Sequence, residues 1–202
     1  MKYLLILTLL FSAPLCGELK VLAFSGSDRK GSFNQKLAEQ AAEIARQKGA
    51  TVQVINLSDY PMPIYNADLE SRSGLPENVK KFRNHLITHD YIIISSPEYN
   101  GLLTALLKNA IDWASREDQG NYSTNAFKEK RFAIMSASPG DGGGQRSLDS
   151  LRQLLNNLGG NVIQKTVSVP AAHQAFDSDG KLMDDKLHNQ LDQEISELLQ
   201  ST

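Results

Sequence analysis

The sequence predicts an α/β domain of three layers, in which helices cover both faces of a five-stranded parallel sheet. Five apolar, strand-like segments alternate with five amphipathic, helix-like segments, and this alternation is typical of a parallel sheet. The clearest strand, residues 90–96, carries consecutive apolar residues without polar alternation, which indicates that both of its faces are buried. No repeat or low-complexity linker divides the chain, so we expect one domain over residues 18–202.

The length and composition limit the classes of function that need to be considered. A chain of 202 residues suffices for one well-buried domain and is short for two. A net charge of -2 without a run of basic residues gives no electrostatic reason to expect nucleic acid as a partner. The single cysteine, Cys16, excludes an intrachain disulfide and a cysteine-based metal site. His85 and His89 are four residues apart, but His89 falls where the helix ends, so we assign no metal ligands.

Residues 1–17 have the pattern of a secretory signal. Lys2 is followed by an apolar stretch at 3–11 and by a segment with small residues at 12–17, and the stretch is too short for a transmembrane helix. The alternative is an additional apolar N-terminal segment or a wrongly assigned start. In either case we expect the domain to begin at about Glu18.

The first half of the domain shows two strand and helix pairs. Strands are predicted at residues 19–24 and 51–57. The first helix should begin at Ser32, because Ser32 and Gln35 form a capping-box pattern before an apolar stripe. Pro61 and Pro63 exclude a helix in the loop that follows the second strand. The second helix should begin near Pro76, with an apolar stripe formed by Val79, Phe82, Leu86 and Ile87.

The second half continues the alternation. The strand at 90–96 is followed by a loop at 97–101 and a helix at 102–113. A fourth strand at 131–136 leads through a glycine-rich loop at 138–144 to a helix at 147–158. The periodicity then predicts a fifth strand and a last helix, at 161–169 and 184–199.

Three loops rich in Gly, Ser, Pro and Asn follow the first, third and fourth strands. Because ligands bind at the carboxyl ends of the strands in such sheets, we expect these loops to form one site. The first loop combines the Arg29 guanidinium with Ser27, Ser32 and Asn34 as donors, at a helix N-terminus that favours phosphate. The alternative interpretation is an ordinary capped helix behind a polar turn.

Several other sites are excluded by missing motifs. The sequence has no Gly-x-Ser-x-Gly elbow, no cysteine nucleophile in the domain and no Walker lysine motif. Gly140-Asp141-Gly142 lacks the further glycine of a dinucleotide fingerprint. The three loops together suit a phosphorylated planar ligand.

These segments resemble the NADPH-dependent FMN reductase family, which includes chromate, quinone and azo-dye reductases. The resemblance lies in residues 26–34, in Pro97-Glu98-Tyr99-Asn100 with the later segment 107–113, and in 138–152; it extends from about residue 18 to the C-terminus. It implies a flavodoxin-like fold, non-covalently bound FMN and a homodimer or homotetramer. It implies neither a catalytic side chain nor a metal.

The resemblance also assigns roles to residues of this chain. Ser27, Arg29, Ser32, Phe33 and Asn34 would hold the phosphate and ribityl end of FMN. The isoalloxazine ring would lie against the segment formed by Pro97, Glu98, Tyr99, Asn100 and Gly101, with Ala137 and Ser138 at its other edge. The sequence departs from the family where Leu102, Thr104 and Ala105 replace the frequent Ser, Pro and Gly, which can change flavin affinity or substrate access.

The resemblance implies an enzyme that passes hydride from NADPH or NADH to FMN and on to a small acceptor. The acceptor classes are quinones, flavins, azo compounds and metal oxyanions. A cytoplasmic location follows from the resemblance, and export is the alternative because of residues 1–17. Two other functions remain open, namely an electron carrier of the flavodoxin type and an exported, non-catalytic binding protein.

Overall fold

A parallel sheet forms the centre of the protein, which is described here from a computed structural model covering residues 18–118 and 120–200. The signal-like segment at 1–17 therefore lies outside the described residues. The strands are β1 (Lys20–Ser25), β2 (Thr51–Asn56), β3 (Tyr91–Ser95), β4 (Arg131–Ala137), β5 (Asn161–Val162) and β6 (Val167–Val169).

Helices lie between most of these strands and after the last one. They are α1 (Phe33–Gln47), α2 (Ala67–Ser73), α3 (Glu77–Ile87), α4 (Ala105–Ala114), α5 (Gln145–Asn157), α6 (Ala172–Ala175) and α7 (Asp185–Leu199), with a short 3-10 turn at Leu57–Asp59. Within the described part of the chain, none of these helices has the length and apolar character needed to cross a membrane.

The strand order is β2-β1-β3-β4-β5, and β6 also pairs with β4. All the pairings are parallel, and β1 lies between β2 and β3 with Val21 opposite both Val52 and Tyr91. This is the order of flavodoxin-like sheets, in which the direction of winding reverses between β1 and β3. The predicted flavodoxin-like fold is therefore confirmed.

Two apolar layers hold the helices against the sheet. On one face, Val21, Ala23 and Ile93 pack with the apolar sides of α1 and α7. On the other face, Phe24 and Ile94 pack with α3, α4 and α5. Successive strand residues point to opposite faces, so a strand covered on both sides needs an unbroken apolar sequence.

The predicted fifth strand, 161–169, is wrong in its middle. It is divided into β5 and β6, because the intervening backbone turns away from β4 and binds side chains instead. Arg152 donates to the carbonyl oxygens of Val162 and Ile163, at 3.2 and 2.7 Å, and Glu197 accepts from the N–H of Gln164 at 2.8 Å.

Other details also differ from the prediction, among them the start of one helix, an additional helix and one residue of an apolar stripe. The helix after β3 begins at Ala105 rather than Leu102, because Leu102 pairs with Tyr99 in a tight hairpin and Thr104 caps the helix. The short helix α2, capped by the side chain of Asn66, was not predicted. Ile87 is 40% exposed and does not belong to the apolar stripe of its helix.

Candidate functional site

A cavity of about 180 Å³ opens at the carboxyl ends of β1, β3 and β4. Its position follows from the parallel sheet, because the loops that leave these three strands meet at one edge. Most of the residues predicted for the site line this cavity, and Pro139 is an addition. The lining residues are Ser27, Arg29, Ser32, Phe33, Asn34, Pro97, Glu98, Tyr99, Ala137, Ser138 and Pro139.

The loop after β1 is folded into a turn that places the start of α1 at the cavity. The N–H of Ser32 donates to the carbonyl oxygen of Arg29 at 3.1 Å, and Gly31 has a φ of 68°, which favours glycine. Ser32 caps α1, since its hydroxyl accepts from the N–H of Gln35 at 3.3 Å. The side chain of Gln35 donates to Glu39 at 3.0 Å instead of returning to Ser32, so only half of the predicted capping box forms.

Two serine hydroxyls at this turn retain the capacity to donate. Ser27 Oγ accepts from the N–H of Arg29 at 3.3 Å, just as Ser32 Oγ accepts from Gln35. A hydroxyl that accepts a hydrogen bond still carries one proton to donate. The first N–H groups of α1 are further donors, because a helix provides them with no internal partner.

Arg29 brings a positive charge to the cavity. Over residues 18–118 and 120–200, no carboxylate lies within ion-pair distance of its guanidinium. The guanidinium carbon lies 5.2 Å from the centre of the Phe33 ring, which in turn stacks on Phe176 with 5.9 Å between ring centres. The arginine is thus held by an aromatic pair and keeps its hydrogen-bond donors available.

Asn34 lines the cavity but directs its amide into the sheet. Its Nδ2 donates to the carbonyl oxygen of Ala137 at 2.7 Å. Its Oδ1 accepts from the N–H of Ala137 and from the hydroxyl of Ser95, both at 2.9 Å. The side chain, 3% exposed, therefore connects α1 with the ends of β3 and β4.

A tight hairpin forms one rim of the cavity. Tyr99 and Leu102 exchange two backbone hydrogen bonds, at 3.0 and 3.1 Å, around Asn100 and Gly101. Both central residues have positive φ, 54° and 84°, as in a type I′ turn, for which Asn-Gly is the preferred sequence. Tyr99 and Leu102 are each 58% exposed, so the rim presents two apolar side chains to solvent.

Glu98 joins this rim to the N-terminus of α5. One carboxylate oxygen accepts from the backbone N–H of Arg146 at 3.1 Å, and the other accepts from Arg146 Nε at 2.8 Å. Gly144 caps α5 and has no side chain to supply this bond. The carboxylate therefore serves as the cap of a helix that lies far away in sequence.

Thr104 connects the start of α4 to the loop after β1, a role that was not predicted. Its hydroxyl donates to the carbonyl oxygen of Gly26 at 2.7 Å and accepts from the N–H of Leu107 at 3.1 Å. A threonine directly before an apolar helical run is an N-cap signal, and this could have indicated the second bond. The first bond crosses 78 residues and could not be read from local sequence.

The glycine-rich loop encloses a second space beside the cavity. This space measures about 330 Å³ and shares Glu98 and Ser138 with the first. Gly144 has a φ of 88°, and a Cβ there would lie 1.9 Å from Ser136 Oγ. Only glycine allows the loop to lie this close to β4.

A larger cavity, of about 470 Å³, lies away from this edge, between α2 and the segment after α4. Two of its charged groups, Arg116 and Glu70, bind each other: Arg116 Nε donates to Glu70 Oε1 at 2.9 Å, and the Tyr65 hydroxyl donates to Glu70 Oε2 at 3.0 Å. The hydrogen bond from Arg116 lowers the pKa of Glu70 despite its burial. This carboxylate is ionised and fully bound, so it anchors α2 rather than serving as a base.

The fold and the cavity together define a class: flavodoxin-like proteins that offer a phosphorylated ligand a site at the carboxyl edge of the sheet. Within that class, the chain belongs to the NADPH-dependent FMN reductase family, whose sequence model matches residues 19–174. The predicted family is thus confirmed, and with it the expected class of oxidoreductase enzymes.

Relatives with established names support this assignment. The chain is 35% identical over 182 residues to an NAD(P)H-dependent FMN reductase of Pseudomonas aeruginosa, covering 90% of this chain and 94% of the relative. It is 36% identical over 183 residues to an NADPH:quinone oxidoreductase of Arabidopsis thaliana, covering 89% and 90%. Among solved structures, the flavoenzyme NAD(P)H:(acceptor) oxidoreductase FerB of Paracoccus denitrificans superposes with a TM-score of 0.73 at 28% identity, covering 89% and 96%.

Proposed function

We propose that this protein binds FMN without a covalent bond and uses NADPH or NADH to reduce a small acceptor. The observation that carries the proposal is the Arg29 guanidinium, which lies at the cavity beside the N-terminus of α1 with no carboxylate partner in the described chain. An unpaired cation beside free helix N–H groups is complementary to a phosphate group.

The donor set fits the phosphate and ribityl end of FMN. Ser27 and Ser32 would donate their hydroxyl protons, Arg29 its guanidinium hydrogens, and Phe33 and Asn34 their backbone N–H groups. The ring would lie between the segment Pro97–Gly101 and the end of β4 at Ala137 and Ser138, as the resemblance implies.

FMN, when bound, supplies the chemistry that accepts hydride and releases electrons, while the protein supplies binding and orientation. We assign no side chain as a catalytic acid or base. Glu98 is the one carboxylate among the described residues that line the cavity, and Arg146 already binds it. Tyr99 and Leu102 lie exposed at the rim, where they would limit which acceptors approach the ring.

The acceptor is proposed as a class: a quinone, flavin, azo compound or metal oxyanion. We further propose a homodimer or homotetramer and a cytoplasmic location, which follow from the family. Light scattering of the purified protein measures the oligomeric state. Cell fractionation with mass spectrometry of the mature N-terminus determines the location.

The deciding experiment is an absorbance spectrum of the purified protein, with FMN added, before and after NADPH. We expect flavin bands that bleach with NADPH and return when a quinone is added, with continuous NADPH oxidation. A protein that is colourless after incubation with FMN and removal of the unbound flavin would contradict the proposal. Bleaching without continuous turnover would favour an electron carrier of the flavodoxin type.

Replacing the cation tests the phosphate assignment separately. Arg29→Ala should weaken FMN binding roughly tenfold to a hundredfold, the scale of one hydrogen bond to a charged group. Lys30→Ala is the matched control, because Lys30 is the neighbouring exposed cation and does not line the cavity. Equal losses in both variants would mean that only general charge attraction is involved.

A further inference from the structure

The side-chain amide of Asn34 already forms hydrogen bonds within the protein, although the residue lies beside the loop that would hold phosphate. We infer that Asn34 is a positioning residue: its side chain replaces the missing end of β3 beside β4 and so sets the separation of the two cavity walls. This inference rests on the proposed function only where it concerns flavin.

The ladder between β3 and β4 ends one residue before the cavity. Ser95 is opposite Met135, and the last hydrogen bond runs from the N–H of Ser96 to the carbonyl oxygen of Met135 at 2.9 Å. The chain leaves the sheet after Ser96. Two residues beyond Met135, the N–H and carbonyl of Ala137 face the same side and lose the partners that a continued β3 would supply.

The amide of Asn34 supplies those two partners. Oδ1 accepts from the N–H of Ala137 at 2.9 Å, and Nδ2 donates to its carbonyl oxygen at 2.7 Å. A side-chain amide has the same donor and acceptor as a peptide group, so it can stand in for one residue of a strand. On the other side, β4 still pairs with β6, with Ala137 opposite Val169.

The third bond fixes the amide to β3 itself. The hydroxyl of Ser95 donates to Oδ1 at 2.9 Å, so both lone pairs of this oxygen are used. Ser95 is fully buried and Asn34 is 3% exposed, so water does not replace these bonds readily. The loops that begin at Ser96 and Ser138 therefore start at a separation set by the Asn34 side chain.

The positioning role and direct phosphate contact both predict weaker FMN binding, but they differ in what they predict for riboflavin. Moving the walls affects the whole ligand, so Asn34→Ala should lower the affinity for FMN and for riboflavin alike, by about tenfold each. A contact with phosphate would lower the affinity for FMN only. Arg29→Ala is the control for that second pattern, because its guanidinium would serve the phosphate alone.

The variant Asn34→Asp provides a second test, in which flavin affinity is measured as a function of pH. When ionised, the aspartate has no proton to donate to the carbonyl of Ala137, and when protonated it has one. Its flavin affinity, taken relative to the wild type at each pH, should therefore improve as the pH falls. Selective loss of FMN with unchanged riboflavin binding, or a ratio independent of pH, would overturn the inference.

Amide hydrogen exchange in the flavin-free protein tests the inference independently of any ligand. In Asn34→Ala the N–H of Ala137 should exchange at least about tenfold faster, while amides in the middle of α1 stay protected. In the wild type, one Nδ2 proton of Asn34 should exchange slowly. This measurement does not depend on whether the Asn34→Ala variant folds. Unchanged exchange at the N–H of Ala137 in Asn34→Ala would overturn the positioning role of Asn34, even if the protein binds FMN. If the protein does not bind FMN, the proposed function fails but the exchange measurement still tests the role of Asn34.

Discussion

The carboxylate of Glu98 caps α5, accepting from the backbone N–H of Arg146 at 3.1 Å across 48 residues of sequence. The same carboxylate also binds the guanidinium of Arg146, whose side chain is 76% exposed. The contact thus combines a helix cap with a surface ion pair, and the two parts differ in expected strength.

The cap should contribute more than the ion pair. Glu98→Ala should lower the free energy of unfolding by about 1 kcal/mol, the usual value of an N-cap. Arg146→Ala should cost less, because the backbone N–H remains and exposed ion pairs contribute about 0 to 1 kcal/mol. Urea denaturation at pH 7 measures both, and Glu98→Gln, which keeps an acceptor, is the control. Equal losses for Glu98→Ala and Arg146→Ala would assign the stability to the guanidinium.

Gly144 should tolerate no side chain. A Cβ there would lie 1.9 Å from Ser136 Oγ, and the φ of 88° disfavours other residues. Gly144→Ala should therefore destabilise the protein by at least about 2 kcal/mol through overpacking and backbone strain. Gly142→Ala is the matched control in the same loop, because nothing lies within 4 Å of its added Cβ. Thermal unfolding that is equally perturbed in both variants would contradict this packing.

The hydroxyl of Thr104 should contribute more to the free energy of unfolding than the shape of the side chain does. Thr104→Val keeps the volume but leaves the carbonyl of Gly26 and the N–H of Leu107 without this partner, which should cost about 1 to 3 kcal/mol. Thr104→Ser retains the hydroxyl and should cost clearly less. Chemical denaturation compares the two variants, and a valine variant as stable as the wild type would show that the hydroxyl is dispensable.

Glu194 should make stability depend on pH. Burial raises the pKa of its carboxyl well above 4.5, nearby Glu197 adds to this effect, and the facing N–H groups of Val167 and Ile134 and the charge of Arg152 only partly offset it. Within the described chain, neither carboxyl oxygen has a partner at hydrogen-bond distance.

The sign follows from proton binding. Above pH 4.5 the folded protein keeps a proton that the unfolded chain has released, so the contribution of Glu194 to the free energy of unfolding falls as the pH rises. Glu194→Gln should stabilise the protein by about 1 to 3 kcal/mol at pH 7.5 and have little effect near pH 4. Denaturation at both pH values measures this, with exposed Glu39→Gln as the control. A gain of the same size at both pH values would refute the role of ionisation.

Local pattern was sufficient for most of the sheet and for the meeting of the three predicted loops at one edge. The apolar run at 90–96 and the Ser32 cap both occur as predicted, and the turns rich in Gly, Ser and Asn meet at one edge because all the strands are parallel. What could not be predicted depends on contacts between distant residues. The position of Asn34 in the first loop predicts that it donates a hydrogen bond to phosphate. Its side-chain amide instead binds Ala137, which is 103 residues away.

The errors in element boundaries have the same origin. Nothing local in 161–169 shows that Arg152 and Glu197 compete for the backbone of the strand. The start of α4 depends on the type I′ turn at Asn100 and Gly101, which takes Leu102 out of the helix. The departure from the family at Thr104 becomes interpretable only once Gly26 is known to lie beside it.

The division of the last strand into β5 and β6 has a consequence for the behaviour of the protein at high concentration. An edge strand with a long, regular row of unpaired backbone groups is a template on which other chains can add and aggregate. Here the edge beside β4 offers only two and three residues in succession, separated by a segment whose carbonyls and N–H are occupied by Arg152 and Glu197. This edge is therefore a poor template for intermolecular strand addition, which limits aggregation through this side of the sheet.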